Sequence, residues 1–146
     1  MATGLSIPNA KAIEYVDDLA DSCDLGSTNP GATLKIYDGG VPPNLDTVLS
    51  GNTTLTSHAM YPATSGDTFG AAGDDNPGAS ADANAISDAV IITDGTASFY
   101  RIFDRDDTAR IQGSVGTSDS SLIVDSVDFK EDATVSITSL TIAHGE

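Results

Sequence analysis

The sequence predicts a mainly β domain, a β-sandwich or jelly-roll-like antiparallel fold with one N-terminal α-helix, and three observations carry that prediction. The stretch from Gly95 to Gly116 reads directly as two strands and a turn, with Ala109, Ile111, Gly113 and Val115 alternating with Arg110, Gln112 and Ser114. Gly, Ser, Thr and Asp are abundant while Glu and Lys are scarce, which favours turns and strands over long helices. Turn signals recur along the chain and divide it into about seven or eight short apolar runs.

Taken in order, residues 1 to 7 form a short lead, and Pro8 suits a first helical turn, where its missing N–H costs nothing. Ile13, Val16, Leu19, Ala20 and Cys23 then recur at helical spacing opposite Lys11, Glu14, Asp17, Asp18 and Asp21, which predicts an amphipathic helix over 8 to 24. Gly26 is its stop, and Asp21 and Asp24 at the negative end of the dipole should let the last turn fray. Thr33 to Tyr37 is a strand with Leu34 and Ile36 on one face, ended by Asp38-Gly39-Gly40. The adjacent Pro42 and Pro43 make the next stretch a crossing between sheets or edges. Thr53 to Tyr61 follows as a strand, with Leu55 and Ala59 opposed to Thr54, Thr56, His58 and Met60.

Residues 62 to 81 carry Phe69 as their one large apolar group and read as a long surface loop, of the kind that contacts other molecules. Ala83 to Thr93 is a strand on the strength of its β-branched run. In the Gly95 hairpin, Phe99 to Phe103 is apolar on both faces and so is expected to be central, with Asp104-Arg105-Asp106-Asp107-Thr108 as the turn. Leu122 to Phe129 is the next strand. In the last one the parity of Val135 and Ile137 is opposite to that of Leu140 and Ile142, which calls for a bulge or bend at Thr138-Ser139.

The 146 residues suffice for one domain, 1 to 146, with a thin core built on aliphatic side chains, since aromatics are 5% and Trp is absent. The formal charge of −16, from 22 acidic and 6 basic residues, argues against binding a nucleic-acid backbone, which needs clustered Lys and Arg. It fits a soluble, self-repelling surface, or alternatively a saline habitat in which ions screen the repulsion. Cys23 stands alone and reads as a small core residue. No basic-then-apolar leader opens the chain and no apolar run reaches membrane-spanning length, so the expectation is a soluble protein made in a cytoplasm, with no membrane partner.

No nucleophile motif, zinc motif, paired cysteine or phosphate loop is present, so no catalytic, cofactor-binding or metal-binding residue is assigned. His58 reads as a surface or sheet-edge histidine, and His144 lies far from it in sequence. Asp104, Asp106 and Asp107 resemble the start of a calcium loop, and Asp74-Asp75-Asn76 could offer oxygens. Neither has the central Gly and terminal Glu of an EF-hand, so both read as solvated turn acids.

The segments LKIYDGGVPP, FGAAG, ANAISDA, GTASFYRIFDRDD, IQGSVGTSDSSLIV and ATVSITSLTI, in this order and spacing, resemble a family of small proteins encoded near the head genes of tailed phages. GTASFYRIFD followed by GSVGTS is the most specific part, and the resemblance covers most of the chain from Pro8. It implies a non-enzymatic capsid decoration or cement protein on the outside of the virion head, made in the host cytoplasm. The partners it implies are the major capsid protein and further copies of the chain, a trimer being favoured. Lys130-Glu131-Asp132 departs from the pattern, which would have a glycine turn before the last strand. A tail or fibre accessory protein is the alternative, and an extracellular carbohydrate-binding module is a weaker one, because such sites usually present aromatic platforms.

Overall fold

The computed structural model describes residues 8–60, 68–74, 78–84 and 86–144. Its fold is mainly β with one helix near the N-terminus and a large mixed sheet, consistent with a β-sandwich-like domain. Helix α1 (Asn9–Ser22) starts where the Pro8 carbonyl accepts the N–H groups of Lys11 and Ala12. Its buried face is Ala12, Val16, Ala20 and Cys23, while Leu19, expected in that stripe, is 40% exposed. The helix ends at Ser22, short of the expected 24, and just beyond it the Asp24 carboxylate accepts the N–H and hydroxyl of Thr68.

The strands are β1 (Thr33–Tyr37), β2 (Thr54–Ala59), β3 (Gly73–Asp74), β4 (Ala79–Asp82), β5 (Ala89–Val90), β6 (Gly95–Thr96), β7 (Phe99–Phe103), β8 (Ala109–Gly116), β9 (Leu122–Val124), β10 (Asp128–Phe129), β11 (Thr134–Val135) and β12 (Ile137–His144). Eight of them form one sheet in the order β2-β1-β7-β8-β9-β12-β4-β3, and β10-β6 and β11-β5 form two small ribbons. The sheet is mixed rather than wholly antiparallel, since β9 returns after a short Ser/Asp turn alongside β8 in the same direction.

The hairpin lies where the alternation placed it: Phe99–Phe103 pairs with Ala109–Ser114, and β7 is central, between β1 and β8. Ile111, Tyr100, Ile102, Leu34 and Ile36 share one buried core, to which α1 contributes Ala12, Val16 and Ala20. The parity break in the last strand is present as a register shift between Ile137 and Ser139 in the β9–β12 pairing. Asp132, with φ 72°, takes the left-handed position a glycine would fill, which is how Lys130-Glu131-Asp132 makes its turn.

Three expectations are corrected. The surface loop at 62 to 81 is in its described parts a sheet edge: β3 and β4 extend the sheet beyond β12, Ala79 and Ala81 are buried, and Phe69 is buried and bridged to Ala83. Small side chains allow this, because the helix lies close over β4; residues 61–67 and 75–77 lie outside the described residues. The single strand expected over 83 to 93 is instead a strap along the β2 edge, where Ser87 N–H donates to the Ala59 carbonyl and Ile92 N–H to Leu55. The strand expected from Leu122 to Phe129 is divided into β9 and β10, which join different sheets.

Candidate functional site

The turn that resembled a calcium loop is a structural clasp. Asp104 Oδ1 accepts the N–H groups of Asp106 at 2.9 Å and Thr108 at 3.0 Å, and its Oδ2 accepts from Arg110 Nε at 2.8 Å. Burial opposes its ionisation, but the bonds from Thr108, Arg110 and Asp106 together hold the carboxyl below its ordinary value. Asp106 reaches across to the loop after α1, where its Oδ1 accepts the N–H groups of Ser27 and Thr28 and the Thr28 hydroxyl, and these bonds lower its pKa also. Asn29 N–H donates to the Arg105 carbonyl and Arg105 N–H to the Leu25 carbonyl, closing the clasp. Gly26, at φ 97°, is required there twice over, since a Cβ would stand 2.5 Å from the Asp106 carboxyl carbon. The solvated-acid expectation for Asp104 is therefore corrected: it is 2% exposed and occupied by backbone donors. Asp75 and Asn76 lie outside the described residues, and among the described residues no three His, Cys, Asp or Glu side chains are grouped to hold a metal ion.

His58 is on the edge strand β2 as expected, but its side chain is fully buried, facing Leu34 across the pair. One ring nitrogen, Nδ1, lies 2.8 Å from the Ser87 carbonyl, which can only accept, so Nδ1 carries the proton and Nε2 accepts from the Thr56 hydroxyl at 2.9 Å. Burial lowers its pKa against the opposing pull of the Ser87 carbonyl and Asp88. It ties the strap at Ser87 to the sheet. The side chain of His144 lies outside the described residues. Cys23 is buried in the core as expected, and burial pushes its thiol up to about 12, far from a thiolate nucleophile.

On the outer face of the sheet, Lys35, Arg101 and Gln112 form a row across β1, β7 and β8, beneath the proline-containing crossing at residues 40 to 52. Arg101, 5% exposed, donates through Nε to Gln112 and through its terminal nitrogen to the Thr47 carbonyl at 2.9 Å. Gln112 donates in turn to the Pro42 carbonyl at 3.0 Å, and Asn52 Nδ2 donates to Asp38 and Gly40 at the base of the loop. The crossing is thus fastened from below while Val41 and Val48 stand out from it, 59% and 84% exposed. The sequence pattern of Phe99 to Phe103 marked a strand covered on both faces, and Arg101 between apolar neighbours is the one signal that could have pointed to a polar cover on the outer one. Comparison of the chain with protein-family models, with curated proteins and with solved structures finds no match.

Proposed function

We propose that the protein is a non-enzymatic virion component, a decoration or cement protein that binds the outer surface of a tailed-phage or tailed-virus head and stabilises it. The observation that carries this reading is the ordered set of segments, from LKIYDGGVPP to ATVSITSLTI, that resembles small phage head proteins. The use of charged side chains is in keeping with it: Asp104, Asp106, Arg101 and Arg110 bind loops to the sheet. The fastened crossing with Val41 and Val48 at its surface is a fixed apolar feature of the kind a rigid partner can receive. With a charge of −16, attachment to the major capsid protein requires apolar contacts or basic patches on the shell. Several copies gripping several capsid subunits, as in a trimer, gain avidity that one small interface lacks.

The test is sedimentation of purified protein with capsids that lack it and with unassembled capsid subunits. Cosedimentation with capsids, weakened by the pair Val41→Asp and Val48→Asp, is the expected result. Failure to bind capsids at any salt concentration overturns the reading, and binding to tail assemblies instead assigns the protein to the tail.

A further inference from the structure

The eight-stranded sheet contains a slot one strand wide. Strands β8 and β12 have eight residues each, whereas β9, which lies between them, has three. Leu122 of β9 is level with Val115 on one side and with Leu140 on the other. Beyond that level, Ala109–Ser114 of β8 and Thr141–His144 of β12 continue past the start of β9. Among the described residues no strand lies between them. Having one strand between them at the closed end sets β8 and β12 about 9.5 Å apart there, twice the usual strand spacing. The space that continues from it, of about 420 Å³, is lined by Leu19, Tyr100, Ile111, Gly113, Thr141 and Ala143 among others.

Both walls offer backbone groups. The Leu140 carbonyl accepts from Ala83, on the β4 side, and Thr141 N–H donates the other way, to the Ser121 carbonyl. By strand alternation the N–H and carbonyl of Ala143 also face the slot. On β8, every second residue of Ala109–Ser114 turns its backbone away from β7 and toward the same space. At the closed end Tyr100 hydroxyl donates to Ser121 Oγ, at 2.6 Å, and Ser121 Oγ donates to the Thr141 carbonyl. Tyr100 lies against Gly113, where a Cβ would come within 2.6 Å of its hydroxyl oxygen. The slot also accounts for Leu19: α1 touches β8 and β12 from below, yet this leucine on the packed helix stays 40% exposed.

We propose that this slot is a strand-acceptor site for an extended segment of a different protein, neutral or basic in charge, which pairs its backbone with β8 and β12. Alternate apolar side chains of that segment cover Leu19. Charge selects the partner class. Exposed Asp18 precedes Leu19 on α1, and the chain as a whole carries −16, so at this slot a strand from another acidic copy is disfavoured where a basic strand is attracted. The site is independent of where on a virion, or elsewhere, the protein works.

The probe is the blocked peptide acetyl-Thr-Val-Lys-Val-Lys-Val-Thr-amide, titrated into isotope-labelled full-length protein and followed by amide NMR, with Lys replaced by Asp in a control peptide. Shifts confined to 109–116, 141–144 and Leu19, weakened about tenfold by Leu19→Asp and by Ala143→Pro and absent for the control, are expected. Both variants are checked for native melting, and the wild-type shift map stands without them. Shifts elsewhere, or no shifts at millimolar peptide, overturn the proposal. So does a chain lacking residues 1–7 that binds the peptide much more tightly than the full chain, which would assign the slot to its own N-terminal segment. Self-association abolished by Leu19→Asp would assign it to a second copy and overturn it also. Loss of capsid binding with this site intact would instead count against the decoration reading alone.

Discussion

Where β1, β7 and β8 lie side by side, the central strand is paired on both edges and covered on both faces: by the core on one, and by the crossing at 40 to 52 on the other. Where β9, β12 and β4 lie side by side, the three-residue β9 stands between the eight-residue β8 and β12, and the pairing shifts register between Ile137 and Ser139. The first region is closed on every side, by β1 and β8 at the edges of β7 and by the crossing that Arg101 and Gln112 fasten. In the second, β12 is paired along its length with β4 but only over a few residues with β9, and among the described residues the gap beyond β9 stays open. A sheet of this size therefore has a rigid half and a receptive half, and the contrast can be tested by perturbing each.

The largest effect is expected at Ile111, buried opposite Ile102 in the closed half. Ile111→Asp removes a large apolar group and buries an unpaired charge, so denaturant unfolding should show a loss of about 4 kcal/mol. Unchanged stability would break the comparison, because the two halves would then tolerate polar intrusion alike. Asp104→Ala should follow closely. It strips two backbone donors and Arg110 of their acceptor, and Arg110 is partly solvated, so the loss belongs at the low end for a broken buried pair, about 3 kcal/mol. Gly113→Ala probes the boundary between the halves: the new methyl must displace Tyr100 from its bond to Ser121, for about 2 kcal/mol, with a changed Tyr100 fluorescence or NMR environment as the local readout.

The same contrast explains what could be read in advance. Ile111 and Val115 alternate with polar residues, and Phe99 to Phe103 is apolar on both faces, so the hairpin and its central position follow from local pattern. The turn acids were legible as turn residues but not as a clasp, since the donors at Ser27 and Thr28 are distant in sequence. Ala79 and Ala81 gave no strand signal, being small, yet smallness is what lets α1 approach β4. His58 and Thr56 looked like a polar face because their partner, the strap at Ser87, was itself mistaken for a regular strand. The slot had no signature at all: it is a difference in length between neighbouring strands, visible only once their order is known.

The smallest effect concerns acid, and it separates the strap from the clasp. His58 is buried neutral, with its pKa lowered chiefly by burial, so above its unfolded value of about 6.5 its titration has no influence on folding. As pH falls below that value the unfolded chain takes up a proton the folded one refuses, and stability declines toward the lowered folded pKa by at most about 1.4 kcal/mol per pH unit. Asp104 and Asp106 act lower. Their folded pKa values are depressed, so the stability they contribute is complete above the unfolded carboxylate value of about 3.9 and is lost as pH falls through the folded values. Stability followed from about pH 8 to about pH 2 should decline in two windows. His58→Gln, which can keep a donor toward Ser87, should remove the upper decline and leave the lower one. An upper decline that survives in this variant would show that another group titrates there. In the wild type, amide exchange of the strap at Ser87 and Ile92 should quicken in the upper window while Thr108 and Asp106 stay protected until the lower. Loss of both at one pH would mean that the strap and the clasp open as one cooperative unit, and the division of the sheet into a closed and a receptive half would not extend to its loops.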